Sequence, residues 1–132
     1  MAISDPVADM LTRMRNALHT RAPKVRVLRN RVCLGLAQVL KDEGYIHDFT
    51  SIDDGKQGVI DVQLKYGDRG EMVVQHLRRA SKPGCRRYLG VAELPNVCDG
   101  LGIAVLTTNR GILSDRQCRK QNVGGEILCT VW

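Results

Sequence analysis

The order of patterns along this 132-residue chain predicts an α+β protein in two lobes. Two stretches with apolar residues recurring at three- and four-residue steps lie among shorter stretches that alternate apolar with polar, as expected of helices laid on a small sheet. Gly67, Asp68, Arg69 and Gly70 form the break in composition best suited to a lobe boundary. Beyond it strand patterns dominate, with room for one short helix. The expected organisation is an N-terminal α/β lobe over residues 1–66, with two helices on one face of a small sheet, and a mainly β C-terminal lobe with a short helix over 67–132.

In the first lobe, Ser4, Asp5 and Pro6 combine capping side chains with a proline at the first turn, where its missing N–H is not needed. Val7, Met10, Leu11, Met14 and Leu18 then give one apolar stripe, with Arg13 and Arg15 pointing away from it. Val25 and Val27 alternate with Lys24 and Arg26 as in a strand. Asn30 can cap a second helix in which Val32, Leu36, Val39 and Leu40 face inward until Gly44 ends it. Residues 45–52 and 59–66 read as two strands around the turn formers Asp53, Asp54 and Gly55.

In the second lobe, residues 72–77 read as a strand, and Ser81, Lys82, Pro83 and Gly84 as a turn in which proline presets its own backbone angle. Ile103, Ala104, Val105 and Leu106 are too few for a helix and apolar enough for a buried strand. Thr107, Thr108, Asn109 and Arg110 place two hydroxyls, an amide and a guanidinium in succession before Gly111, and Ile112 and Leu113 resume as strand. Ser114 and Gln117 have capping-box spacing, so a helix should run over Asp115–Gln121 and stop at Gly124 and Gly125. Residues 126–132 return to strand, with Ile127, Cys129 and Val131 expected on one face.

Lys and Arg total 20 against 14 Asp and Glu, a net charge of +6, which favours an anionic partner. Between residues 13 and 31 stand seven Lys or Arg and no acid. This is either a solvated face or a set of phosphate contacts, since clustered cations release the counterions condensed on nucleic acid. The five cysteines are odd in number and none are spaced C-x-x-C, so buried or half-buried reduced thiols are expected rather than disulfides or a zinc site. No signal peptide pattern precedes Ser4, and no apolar run approaches the roughly 20 residues of a membrane span, so a reducing, intracellular location is expected. His19, His47 and His76 sit in separate segments, and no nucleophile motif or glycine-rich phosphate loop is present, which argues against an enzyme. No cofactor or metal is implied. An alternative to a specific nucleic-acid partner is a basic protein-interaction module that binds RNA weakly and without regard to its fold.

The C-terminal stretch carries a set of residues in a telling order: Thr107 and Thr108, Gly111, Ile112 and Leu113, Ser114 and Asp115, then Gly124, Gly125 and Glu126. In this the chain resembles the bacterial-type family of small ribosomal subunit protein eight. The likeness extends through Ser4-Asp5-Pro6, the Arg13 to Asn16 core, Glu43-Gly44, and the turn at 81–84 with the aromatic Tyr88 after it. The family's loop usually reads Ser-Thr-Ser where this chain has Thr107, Thr108 and Asn109. Its turn before the second helix usually reads Pro-Ser-Ser-Lys, where this chain has Leu28 to Arg31.

The resemblance implies a structural constituent of the small ribosomal subunit, cytoplasmic and not membrane-bound, beside neighbouring small-subunit proteins. It would bind the central domain of small-subunit ribosomal RNA and, as a further expectation, repress its own operon through a similar hairpin in messenger RNA. Double-stranded RNA offers proteins a wide minor groove lined by 2′-hydroxyls, which small hydroxyl or amide side chains on a protruding loop can enter. The candidate RNA-binding residues are Thr107, Thr108, Asn109, Arg110, Gly124, Glu126, Lys82, Arg87, Tyr88, Arg15, Asn16 and Arg31. Three of these readings have alternatives. Thr107 and Thr108 can be ordinary strand-end threonines, Tyr88 can pack on the sheet, and Glu126 can accept from RNA, orient Arg110 or Arg116, or form a structural salt bridge. Gly124 and Gly125 are expected to shape the backbone rather than touch RNA.

Overall fold

The computed structural model describes residues 5–81 and 83–132, so Ser4 and Lys82 lie outside the described residues. The chain divides into two compact units, Met1–Val74 and Gln75–Trp132. The division falls after Val74 rather than after Tyr66, because the glycine-rich segment folds back on the first unit. The Gly67 N–H donates to the Glu71 carbonyl at 2.8 Å, and Met72 bridges to Tyr66, whose hydroxyl donates to the Ala22 carbonyl at 2.6 Å.

In the first unit, α1 (Pro6–His19) starts where Asp5 Oδ1 accepts from the Ala8 N–H at 3.2 Å, and its buried stripe is Val7, Met10, Leu11, Met14 and Leu18, as the periodicity predicts. β1 (Lys24–Leu28) leads to α2 (Arg31–Asp42), which is capped by Asn30 Oδ1 accepting from the Cys33 N–H at 2.8 Å. Cys33, not Val32, is the fully buried residue of its first turn. The helix ends at Gly44, whose φ of +83° is one that L side chains rarely adopt.

β2 (Ile46–Ile52) and β3 (Val59–Leu64) complete an antiparallel sheet of order β1-β3-β2. Because both outer strands run opposite to β3, β1 and β2 are parallel to each other and α2 is the crossover between them. The helix stripes share a core with Val27, Ile46, Ile60, Val62 and Leu64, while Arg26 and Asp61 pair at 2.8 Å on the other face.

The second unit is built around β8 (Gly125–Val131). One edge of β8 pairs with β4 (Leu77–Arg79) and β5 (Tyr88–Leu89), and the other with β6 (Ile103–Thr108), which pairs in turn with β7 (Gly111–Ser114). β4 is shorter and later than the strand expected over 72–77. Met72 forms an isolated bridge with Tyr66, and the Gln75 and His76 N–H groups both donate to the Trp132 carbonyl, at 2.7 and 2.6 Å, while the two rings of His76 and Trp132 stack.

α3 (Asp115–Gln121) has the capping box its sequence predicts: Ser114 Oγ accepts from the Gln117 N–H at 3.3 Å, and Gln117 Oε1 accepts from the Ser114 N–H at 3.1 Å. It is stopped by Asn122 in the left-handed region, φ +57°, rather than by the glycine pair. Short polar Asn tolerates that conformation, so the helix ends after Gln121, as expected, without needing the glycine pair.

The register of β8 departs from plain alternation. Val105 faces Cys129 and Leu106 faces Ile127, so Leu128 is an extra residue opposite no partner on β6. Ile127 therefore lies on the opposite face from Cys129 and Val131, contrary to the expectation from period two. It joins Ala104, Leu106, Leu113 and Cys118 of α3 in one buried cluster.

The cysteines split into two kinds. Cys33, Cys118 and Cys129 are buried, and Cys85 and Cys98 are exposed. Burial pushes the Cys33 thiol up to about 11, with Asp9 and Asp5 adding to the effect, and the Cys129 thiol up to about 12. Since the thiolate is the reactive form, a maleimide at neutral pH should label Cys85 and Cys98 quickly and leave the other three unmodified until denaturant is added. Peptide mapping by mass spectrometry reads the sites, and rapid labelling of Cys129 in the native protein would contradict the buried sheet.

Candidate nucleic-acid interface

Pairing across three adjacent strands puts Tyr88 of β5, Glu126 of β8 and Thr107 of β6 in one row, Tyr88 opposite Glu126 and Glu126 opposite Thr107. Directly paired residues of antiparallel strands share a face, so an aromatic ring, a carboxylate and a hydroxyl line up with the carboxylate in the middle. A pocket of about 350 Å³ opens here, walled by Thr107, Thr108 and Asn109 on one side and by Tyr88 on the other, with Gly124, Gly125 and Glu126 between. Six of the sequence-predicted residues thus meet at one place.

The hairpin at the pocket's edge has Asn109 and Arg110 as its two turn residues, closed by the pair Thr108 and Gly111. The Thr108 hydroxyl donates to the Gly111 carbonyl at 2.9 Å and accepts from the Arg110 N–H at 3.0 Å, so its first task is to shape the turn. Thr107 Oγ1 and the Asn109 amide have no hydrogen-bond partner among the described residues, and Asn109 and Arg110 are exposed. These are the groups left to a ligand.

Gly124 and Gly125 are required by close approach. A Cβ on Gly124 would collide with the Leu89 carbonyl oxygen, and one on Gly125 with the Thr107 carbonyl oxygen. Both glycines thereby let β8 pass close to its neighbours at the pocket.

Glu126 is buried, yet both of its carboxylate oxygens have partners. Ser81 Oγ donates to its Oε2 at 2.9 Å, and Arg86 Nη1 sits 3.1 Å from both carboxylate oxygens. Its partners are therefore Arg86 and Ser81, and neither Arg110 nor Arg116 is among them; Arg116 donates instead to the Gly100 carbonyl at 2.6 Å. Sequence reasoning missed Arg86. The signal the sequence offers is its place two residues before Tyr88.

Tyr88 is 68 % exposed, so it is not a core aromatic. Arg87 is exposed, and its backbone N–H donates to Ser81 Oγ at 3.0 Å while its carbonyl accepts from the Ile127 N–H. Lys82 lies outside the described residues. Arg15, Asn16 and Arg31 belong to the first unit, Arg15 and Asn16 on the exposed face of α1 and Arg31 at the first residue of α2.

Several cations of the 13–31 cluster are engaged within the protein. Arg13 pairs with Asp9 at 2.9 Å, Arg26 with Asp61, and Arg29 donates to Ser51 Oγ at 3.2 Å. Chemically, the second-unit pocket offers small neutral donors and acceptors, an aromatic face, and one anionic acceptor that an amino group or hydroxyl could fill. Among the described residues, no three His, Cys, Asp or Glu side chains gather as a metal site requires, and no helix is long and apolar enough to cross a membrane.

Residues 5–132 match the family model described as Ribosomal protein S8. The chain is similar over all 132 residues, and over the whole of each relative, to the small ribosomal subunit protein uS8 of Clostridioides difficile at 50 % identity, of Caldicellulosiruptor bescii at 49 %, and of Syntrophobacter fumaroxidans at 47 %.

The geometry separates two substitutions that composition would treat alike. Gly125→Ala should destabilise the protein by about 2 kcal/mol or more, because strand backbone has to move to admit the methyl group. Thr108→Ala should cost about 1 kcal/mol by removing the hydroxyl that closes the turn. Urea denaturation of both against the parent checks this, and a Gly125→Ala variant as stable as the parent would mean that β8 does not run as close to Thr107 as described.

Proposed function

The chain belongs to the ribosomal protein S8 family, so it is a structural ribosomal protein rather than an enzyme, and we propose that it binds the central domain of small-subunit ribosomal RNA directly and helps that domain assemble. The observation that carries this reading is the row of Tyr88, Glu126 and Thr107 beside an exposed hairpin. It gathers on one face the short polar groups that fit an RNA minor groove and an aromatic ring on which an unstacked base can rest. Glu126 has no business on a surface that only attracts phosphate. A carboxylate there repels the backbone, and beyond its bonds to Ser81 and Arg86 it can serve RNA only as an acceptor from a base amino group or a ribose hydroxyl.

The division of labour follows. Thr107, Asn109, Tyr88 and Glu126 read the RNA at close quarters. Gly124 sets the backbone, Arg110 and Arg87 supply charge around the pocket, and Lys82, by its charge in the sequence, is a further candidate for phosphate contact. Arg15, Asn16 and Arg31 of the first unit add a second area of contact, where exposed cations meet phosphates. The protein works in the ribosome in the cytoplasm, next to other small-subunit proteins. A messenger RNA hairpin of the same shape would fit the same pocket, and through it the protein would repress its own operon.

The experiment is a fluorescence titration against a short hairpin from the central domain of small-subunit RNA, repeated over a series of salt concentrations and beside a scrambled hairpin. Affinity should fall steeply with salt, and replacing Arg87, Arg15 or Arg31 by Ala should flatten the slope by about one unit each. Thr107→Val, which keeps shape and removes the hydroxyl, should weaken binding by about 1–3 kcal/mol with the melting temperature unchanged. Equal affinity for hairpin and scrambled RNA would instead favour a basic protein-interaction module that binds RNA without regard to its fold.

A further inference from the structure

Glu126 raises a question that RNA contact alone does not answer: what keeps a carboxylate fixed in a shallow pocket on a basic protein. Its side chain is 8 % exposed and has two partners from the same short segment, Ser81 and Arg86. Ser81 is fully buried, and its hydroxyl is used twice: it donates to Glu126 Oε2 and accepts from the Arg87 N–H. The serine thus ties the carboxylate to the backbone at the point where the chain enters β5 and presents Tyr88. Arg86 closes the arrangement with one nitrogen, Nη1, equidistant at 3.1 Å from both oxygens.

An ionised carboxylate has roughly four lone-pair positions. Ser81 and Arg86 take both on Oε2 and one on Oε1, which leaves a single acceptor position for an outside donor. We infer that Arg86 and Ser81 are positioning residues for RNA recognition: they hold Glu126 so that one acceptor position faces the pocket between Tyr88 and Thr107, and Arg86 acts through that carboxylate rather than as a phosphate contact. This inference rests on the RNA-binding reading above and names the residues that make its anionic acceptor work.

The two roles open to Arg86 differ in what salt does. A phosphate-contacting arginine releases counterions, and its removal lowers the salt slope by about one unit. An arginine whose charge is spent on Glu126 adds little to that slope, so its removal weakens binding by a similar factor at every salt concentration. The contact also predicts which replacement is tolerated. Because one nitrogen makes both bonds, an ammonium can stand in for it, whereas an uncharged side chain of similar length cannot.

The test uses the full chain and the same hairpin titration. Arg86→Met should bind about tenfold more weakly, with a salt slope close to that of the parent, and Arg86→Lys should recover most of the loss. Glu126→Gln should also weaken binding, and the double variant Arg86→Met with Glu126→Gln should be no weaker than the poorer single one, since both changes remove the same element. Thermal melts run alongside keep every titration well below its midpoint. If Arg86→Met does not fold, Arg86→Gln takes its place, alone and combined with Glu126→Gln, and reads the same coupling.

A slope lowered by about one unit in Arg86→Met, with losses that add in the double variant, would make Arg86 a phosphate contact and overturn the inference while leaving RNA binding intact. Unchanged affinity in Arg86→Met would overturn it as well. A parent protein that does not prefer the hairpin to scrambled RNA would sink the RNA reading and this inference together, and the parent arm alone tells that case apart.

Discussion

A strand paired along both edges can send each side chain only to one face or the other, and in β8 the extra residue Leu128 decides which face Glu126 takes. Plain alternation from Val131 and Cys129 would turn Glu126 to the side of Ala104, Leu106 and Cys118, where an unpaired carboxylate would be buried at a cost of several kcal/mol. The inserted residue reverses the parity. Ile127 goes into that apolar cluster instead, and Glu126 emerges between Tyr88 and Thr107. The bulge is itself held, because the Leu128 carbonyl accepts from the Ala80 N–H at 2.9 Å and from Arg79 Nη1 at 2.7 Å. The segment that fixes the bulge runs straight on to Ser81 and Arg86, so the same stretch of chain creates the carboxylate's position and supplies its partners.

Charge is distributed less simply than a net of +6 suggests. Exposed ion pairs such as Arg13 with Asp9 contribute little to folding, but each one removes a cation from the field that a polyanion would meet. The first unit, with its acid-free run from residue 13 to 31, therefore attracts phosphate less strongly than its composition implies. In the second unit Arg119 is likewise engaged, donating to Asp115 at 2.7 Å and to the Pro95 carbonyl at 2.7 Å, which straps the loop before β6 to α3.

Local signals in the sequence were reliable wherever one residue's chemistry determined the outcome. The α1 stripe, the Asn30 cap and the Ser114–Gln117 capping box are all visible in the sequence because each depends on neighbours within one turn of helix. What could not be read depends on pairing between distant strands. The Leu128 bulge has no glycine or proline to mark it. β4 begins at Leu77 because the Gln75 and His76 amides are taken by Trp132, far along the chain. The candidate site was legible residue by residue, and its convergence on one row was not, since Tyr88, Thr107 and Glu126 become neighbours only through β8. The Arg86 bond to Glu126, between residues forty positions apart, was hidden for the same reason.

The hairpin shows how one loop can vary in sequence and keep its shape. Its turn is closed by the Thr108 hydroxyl, which spans from the Arg110 N–H to the Gly111 carbonyl, so position 108 requires a hydroxyl for reasons internal to the protein. Position 109 stands exposed, with no hydrogen bond to any described residue, and nothing in the turn depends on what side chain it carries. An asparagine there in place of the serine common in related loops alters the reach and the number of donors offered outward without disturbing the backbone that carries Thr107. Threonine at 107 keeps the hydroxyl of a serine and adds a methyl group that restricts its rotation, so the hydroxyl at the pocket has fewer orientations open to it. The departure from the usual loop therefore falls on what the hairpin presents, while the interaction that shapes it is retained.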